Sequence, residues 1–179
     1  EIRTVKDGLG RAYVHGFKWA LKNNYAFIFE MDADFSHNPT DLPRLFQALA
    51  DGADVAIGSR YSNGVNVVNW PMNRVLMSYF ASKYVRIITN LPVHDATAGF
   101  VGYRAEVLKT LNLDKIQFKG YGFQIEMKYK SWVKKFSIKE VPIIFTDRTL
   151  GESKISSDII GEAVFGVISL RLRNLLGKL

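Results

Sequence analysis

The chain has 179 residues, of which 47% are hydrophobic, 13% aromatic and 23% charged; this is the composition of a globular domain and excludes a disordered tail or a collagen-like repeat. It has no cysteine and three histidines, which excludes a disulfide framework, a thiolate metal site and a cysteine nucleophile, and argues against a histidine-rich zinc site. Lys and Arg number 24 against 17 Asp and Glu, a formal charge of +7, so the surface favours anionic partners: nucleic acid, acidic lipid headgroups or phosphorylated small molecules.

The opening Glu1-Ile2-Arg3-Thr4 is neither a signal peptide nor an initiating methionine and reads as the interior of something larger. Asp7 can cap a helix carrying Leu9, Ala12, Tyr13, Gly16, Phe17 and Ala20 at helical spacing, ended by Asn23-Asn24. Tyr25 to Met31 is a short apolar run closing in acids, as a buried parallel strand does. Pro39-Thr40-Asp41 opens a second helix with Leu42, Leu45, Phe46 and Leu49 on one face, stopped at Asp51-Gly52, and Ala53 to Ile57 is another buried strand. The order strand–helix–strand predicts a parallel sheet. Gly58 to Met72, with two Gly, three Asn and one Pro, reads as a long surface loop. Asn73 to Asn90 is a helix with Val75, Leu76, Tyr79, Phe80, Val85 and Ile88 facing inward or toward lipid. A strand at Phe100 to Tyr103, a short helix at Ala105 to Leu111 and an amphipathic stretch at Phe123 to Lys134 follow. Ile138 to Phe145 is a strand that Pro142 places at a sheet edge. Thr146 to Ser156 is a polar loop, and a last helix runs from Ser157 to Leu176. Its longest uncharged run, Ala163 to Leu170, is eight residues, short of the roughly 20 that a membrane span needs.

Five groups of residues could carry chemistry. Asp32-Ala33-Asp34 directly follows a strand, where open sheets bind ligands; the two carboxylates can meet one Mg²⁺ or Mn²⁺, or simply cap the next turn. Arg74 and Ser78, four apart, share a face in the first two turns of a helix, where N–H groups favour an anion. Arg60, Arg148 and Lys154 add cations suited to phosphate or to solvent alone. Asp95 could orient a substrate or accept a proton, or bond its own turn. Gln124 and Glu126 open a helix and could line a pocket or serve the helix start.

Together, Gly8-Leu9-Gly10-x-Ala12-Tyr13, Met31-Asp32-Ala33-Asp34-Phe35-Ser36-His37-x-Pro39, Gly58-Ser59-Arg60-Tyr61, Trp70-x-x-x-Arg74-x-x-x-Ser78, Asp95-x-Thr97-x-Gly99-Phe100, Gly120-Tyr121-x-Phe123-Gln124-x-Glu126 and the run from Glu140 to Lys154 resemble the dolichol-phosphate (polyprenol-phosphate) mannose synthases of glycosyltransferase family two. The match runs through nearly the whole chain in order. It implies an α/β GT-A nucleotide-diphospho-sugar transferase fold, a Rossmann-like mixed sheet, here lacking the N-terminal strands and Asp-rich motif of such enzymes. It divides the chain into a transferase domain, 1–155, and a C-terminal amphipathic, interfacial helix, 156–179.

The activity implied is inverting transfer of mannose from GDP-mannose, or a similar sugar nucleotide, to a polyprenyl phosphate. By position, Asp34, Asp95 and Arg60 match catalytic residues, and Asp32 and Asp34, with Ser36, match ligands of Mg²⁺ or Mn²⁺. Asp32, Arg148, Lys154 and Gln124 match the donor site, and Arg60, Arg74, Ser78 and Arg148 the residues that hold substrate phosphates. The implied setting is peripheral, on the cytoplasmic face of a membrane, with a second copy or a membrane-anchor subunit as partner. An acceptor phosphate is already ionised at neutral pH, so catalysis would rest on positioning and charge neutralisation rather than on a strong base; a neutral Gln124, where relatives acting on sugar hydroxyls carry an acid, fits that. A basic module for nucleic acid or anionic membrane is the rival reading; the chain has no RNA-reading motif and no basic run of five or more, which argues against nucleic acid.

Overall fold

The computed structural model describes residues 8–120, 122–147 and 157–179, with the helix backbone alone over 157–163. Helix α1 (Leu9–Lys22) buries Val14, Phe17 and Ala20 on one stripe, and the chain reverses through Asn23 and Asn24, the latter at φ 58°. Strand β1 (Phe27–Glu30) follows. The Asn38 side chain accepts from the Thr40 N–H and caps a single turn over Pro39–Asp41 that feeds helix α2 (Leu42–Ala50). Of its expected face, Leu45 and Leu49 are fully buried, but Leu42 and Phe46 are exposed, Phe46 meeting the Phe27 ring edge-on.

Strand β2 (Val55–Ser59) is buried at every position. After a loop that includes the two-residue β3 (Val67–Val68), helix α3 spans Met72–Thr89 and turns at Asn90 in the left-handed conformation. Strand β4 (Val101–Arg104) runs directly into α4 (Ala105–Thr110). Helix α5 (Gly122–Val133), strand β5 (Ile138–Pro142), the short β6 (Phe145–Thr146) and helix α6 (Ser157–Leu175) complete the order.

The main sheet has the order β1-β4-β2-β5. This corrects the purely parallel sheet predicted by alternation and agrees with a mixed one: β4 inserts between β1 and β2 and is antiparallel to both, and only β2 and β5 pair in parallel. An apolar run such as Phe100–Tyr103 carries no mark of its direction, so composition could not reveal the insertion. Phe29 lies opposite Gly102; a Cβ there would stand 2.4 Å from the Phe29 ring, which makes glycine necessary. Pro142 lies in β5 at the sheet edge, where the ladder does not need its missing N–H.

Successive strand residues face opposite ways. Ala56 and Phe100 join Leu45 and Leu49 of α2 in a smaller core, while Val55, Ile57, Val101 and Tyr103 join Phe17, Phe123, Met127 and Tyr129 in the larger one. One expectation about the helices changes. Helix α5 is not amphipathic but buried from Gly122 to Ser131, because α1 and α6 pack on it and it shares the larger core with the sheet. Helix α3 turns Ser82, Val85 and Thr89 inward and leaves Leu76, Tyr79 and Phe80 exposed. Helix α6 packs on α3 and α5, placing Val167 and Leu170 in the larger core; Gly166 lets it approach so closely that a Cβ would meet the Phe118 ring at 2.2 Å. The stretch called a loop from Gly58 also changes: Gly58 and Ser59 finish β2, Arg60 and Tyr61 are buried, and Val67–Val68 pair in parallel with Phe145–Thr146.

Candidate active site

A cavity of about 740 Å³ opens beyond the end of β1. At its acidic end are Asp32, Asp34 and Ser36. Asp34 Oδ1 accepts from the Ser36 hydroxyl at 2.6 Å and from its N–H at 3.1 Å, and Asp32 Oδ1 accepts from the Tyr13 hydroxyl at 3.3 Å. Between Asp34 and Ser36, Phe35 adopts φ 64° with its side chain 92% exposed. A bulky residue in the left-handed region is strained, and the bonds from Ser36 to Asp34 hold the turn closed around it. Ser36, matched above to a metal ligand, thus also supports its neighbour's carboxylate. Among the described residues no three carboxylates or imidazoles converge. The donor set is two carboxylates and a hydroxyl, hard oxygens of the kind Mg²⁺ and Mn²⁺ take when waters and substrate phosphates complete the shell.

The next wall is built around Arg60. Its backbone N–H and Nε donate to Asp95 Oδ2 at 3.0 and 2.7 Å, and its Nη2 donates to Asp95 Oδ1 at 2.6 Å and Thr97 Oγ1 at 2.9 Å. The rings of Tyr61, Trp70 and Phe145 surround the guanidinium, 5.2 to 5.6 Å from Cζ. Burial alone would raise the Asp95 carboxyl, but the charge and hydrogen bonds of Arg60 hold it below the ordinary carboxylate value. Glu140, on the edge strand, accepts from the N–H groups of His94 and Asp95 and from Ser59 Oγ, and so fixes the loop that carries Asp95. Asp95 is fully buried and outside the cavity lining. It is the buried counter-ion of Arg60, and Arg60 does line the cavity.

Arg74 and Ser78 line the cavity together, on the first turns of α3. Arg74 Nη1 donates to Asp147 Oδ1 at 2.7 Å, and its Cζ sits 4.2 Å over the Trp70 ring. Arg148 and Lys154 lie outside the described residues. Gln124, on the first turn of α5, lines the cavity at 3% exposure.

Several cavity residues were given no role in the sequence reading. His37 is 4% exposed, its ring edge-on to Phe100 and Phe145, and burial holds its pKa below the usual value. Behind Gln124 lie two buried ionisable side chains, Lys128 and Glu30. Lys128 Nζ donates to Ala98 O at 2.7 Å, Gln124 O at 3.2 Å and Gln124 Oε1 at 3.4 Å. Glu30, at the end of β1, accepts from the Tyr103 hydroxyl at 3.1 Å. Burial raises Glu30 to about 8 and lowers Lys128 to about 8, each opposed by the other's charge. The spacing of Lys128, four after Gln124 on one helix, was the signal that could have found it; for Glu30 it was an acid closing an apolar strand.

The remaining wall is apolar. Met77, Phe80 and Ala81 of α3 face Val164 and Val167 of α6, and the Tyr84 hydroxyl joins the two helices by donating to the Val164 carbonyl at 3.0 Å.

Residues 2–111 match the model of the family described as Glycosyl transferase family 2. The chain is 50% identical over 165 residues to an undecaprenyl-phosphate mannosyltransferase of Micrococcus luteus, covering 92% of this chain and 68% of that protein. It is 47% identical over 176 residues to a polyprenol monophosphomannose synthase of Mycolicibacterium smegmatis, covering 98% and 66%. The chain thus spans about two thirds of the length of both relatives. Among solved structures, the glucosyl-3-phosphoglycerate synthase of Mycobacterium tuberculosis in complex with Mg²⁺ and uridine diphosphate superposes with a TM-score of 0.63 at 17% identity, over 98% of this chain and 57% of that one. The resemblance read from the seven motifs and the GT-A fold it implied are borne out. The chain belongs to glycosyl transferase family 2.

Proposed function

We propose that this glycosyl transferase family 2 chain moves mannose from GDP-mannose, or a closely similar sugar nucleotide, to the phosphate of a polyprenyl phosphate, with inversion, on the cytoplasmic face of a membrane. One observation carries the reading: a single cavity runs from two carboxylates, past two arginines, to an apolar wall between α3 and α6. Those are the features that a nucleotide diphosphate with its cation, an acceptor phosphate and a hydrocarbon chain would require in turn. The names of the two relatives supply the sugar and the class of acceptor.

The acceptor oxygen arrives ionised, so no residue must remove a proton from it. Arg60, held rigid by Asp95, and Arg74, held by Asp147 and Trp70, present guanidinium groups to the acceptor phosphate and set one oxygen toward the anomeric carbon. Ser78 offers a hydroxyl donor beside them. Attack from the face opposite the leaving diphosphate inverts the anomeric centre. Asp32 and Asp34 would hold Mg²⁺ or Mn²⁺; when bound, that ion offsets charge on the departing diphosphate. Arg148 and Lys154, which the family resemblance matches to phosphate-holding residues, would serve the substrate phosphates. Gln124 acts as an amide that orients, not as a base.

The membrane reading rests on exposed apolar side chains of two helices. Met72, Phe80 and Ile87 of α3 and Phe165 and Leu172 of α6, with Leu176 just beyond it, are between 54% and 75% exposed. Arg86, Arg171, Arg173 and Lys178 belong to the same elements or their end, as an interfacial surface on anionic lipid requires. No helix among the described residues is long and apolar enough to cross a bilayer. The absence of cysteine fits a reducing compartment. The test is transfer of labelled sugar from GDP-mannose to a polyprenyl phosphate by the full-length protein, with and without Mn²⁺ or Mg²⁺, beside UDP-glucose. Metal-dependent formation of a mannosyl lipid with β configuration is expected. Transfer from UDP-glucose alone would overturn the donor, and no lipid product from either would overturn the activity.

A further inference from the structure

The cavity floor hides a cation that a surface description would miss. Lys128 is completely buried, and Glu30, whose charge acts on it, is buried as well. Removing an ammonium and a carboxylate from water is unfavourable unless their hydrogen bonds are made, and two apolar residues of similar volume commonly serve as well for stability alone. The Glu30 carboxyl is bonded instead by the Tyr103 hydroxyl and the Gln124 side chain. Among the described residues no direct hydrogen bond joins Lys128 to Glu30, so the two attract through space rather than as a bridge.

The Lys128 ammonium instead has its three short contacts elsewhere. Two are to Gln124, at its carbonyl and its side-chain oxygen, and the shortest, 2.7 Å, is to the carbonyl of Ala98. Ala98 belongs to the loop from Asp95 to Gly99 that also aims Arg60. The Ala98 carbonyl points at Lys128, so the N–H of Gly99, across the same planar peptide, points away from it. Gly99 lines the cavity and lies against Asp32; a Cβ built on it would be 3.6 Å from Asp32 Oδ2. Gln124 lines the same cavity.

We infer that Lys128 is a positioning residue for the transfer reaction: its ammonium clamps the Ala98–Gly99 peptide to the first turn of α5, and so fixes both the wall behind Asp32 and the orientation of the Gln124 amide. The inference rests on the proposed transfer activity for its kinetic consequence, but not for the clamp itself. Substrate never touches Lys128; the residue acts through Gln124 and Gly99.

The test compares Lys128→Met, and Lys128→Met combined with Glu30→Gln, with the wild-type full-length protein. The single variant leaves the buried Glu30 carboxyl without the nearby cation and could fail to fold; the double variant removes both ionisable groups at nearly constant volume and should keep a thermal midpoint close to the wild type's. In the double variant kcat should fall by about tenfold or more while KM for polyprenyl phosphate changes less than about twofold, as expected when a group is displaced rather than removed. Amide hydrogen exchange across residues 96–99 of the substrate-free protein should accelerate about tenfold, with the β4 amides unchanged. Wild-type exchange in that loop, or a wild-type kcat, would mean that Lys128 only balances Glu30, and would overturn the inference. If the wild type itself transfers no mannose, the functional reading fails alone, and the exchange comparison still decides the clamp.

Discussion

The two sides of the cavity are built on opposite principles. On the sheet side every charged group has a fixed partner: Asp34 with Ser36, Asp32 with Tyr13, Arg60 with Asp95, Asp95 with the loop that Glu140 holds. On the helix side, α3 and α6 meet through a few buried residues and leave large apolar side chains open to solvent. The first is electrostatics prepared in advance, which acts without reorganisation when charge develops. The second is a surface completed by what covers it. Ionic strength, metal and charge-removing substitutions should therefore act mainly through the sheet side, and lipid mainly through the helix side.

The sharpest way to break this comparison is Asp95→Ala. It leaves the Arg60 guanidinium buried with its counter-ion gone, and the side chains of the pair are only 10% and 0% exposed. A loss of about 3–5 kcal/mol is expected, read as a fall in the denaturation midpoint in urea. Because the folded Asp95 pKa lies below its ordinary 3.8, the stabilisation from this pair is fully present above that ordinary value and is lost only as the pH falls through the lower, folded one. Between pH 5 and 7 (a window well above both pKa values) this pair should give no slope. By contrast, Arg74→Ala breaks a pair about one-quarter exposed on each side and should cost roughly 1 kcal/mol or less. Equal losses in the two variants would erase the distinction between prepared and open walls.

Asp34→Asn tests the acidic end without unfolding it. The substituted amide keeps an oxygen that can accept from Ser36, so the thermal midpoint should hold, while transfer at limiting Mn²⁺ or Mg²⁺ should fall by about 100-fold. Full activity under limiting metal would remove the cation from that end. A smaller effect is expected at the basic end: Arg74→Ala and Ser78→Ala should each raise KM for polyprenyl phosphate several-fold more than KM for the sugar nucleotide. Equal changes for both substrates would detach these residues from the acceptor.

The sheet side was also the more legible in the sequence, but only where its logic is local. Asp32 and Asp34 stand at the end of an apolar run, and Arg74 and Ser78 share a helix face, so spacing alone placed both pairs on the cavity. Pro142 marked an edge strand because a missing N–H is a local fact. The partner of Asp95 was not readable: Arg60 lies 35 positions away, and only the insertion of β4 beside β2 brings the two loops together. The same insertion reversed the expected sheet, since direction resides in long-range pairing. Lys128 and Glu30 were hidden for a related reason. A lysine in a helix is ordinarily solvated, and only long-range packing, with α1, α6 and the sheet, turns α5 into a buried element.

The helix side gives the smallest expected change in stability and the largest in location. Deleting Ile159 to Leu179 would not test the surface, because Val167 and Leu170 belong to the core and their removal would open it. Phe165, at 75% exposure, and Leu172, at 54%, lie on the same helix without that burden. Phe165→Ser with Leu172→Ser should shift the unfolding free energy by no more than about 0.5 kcal/mol per site, as exposed positions do. If the exposed faces of α3 and α6 enter the headgroup boundary, losing a phenyl and an isobutyl group from it should release the full-length protein from anionic vesicles in a sedimentation assay. High salt should release the wild type too, through Arg171 and Arg173. Activity on a short, water-soluble acceptor phosphate should stay close to wild type, since neither residue lines the cavity. Co-sedimentation of the double variant at the wild-type level would show that α6 is not the anchoring surface, and would leave the open wall to be covered by protein instead.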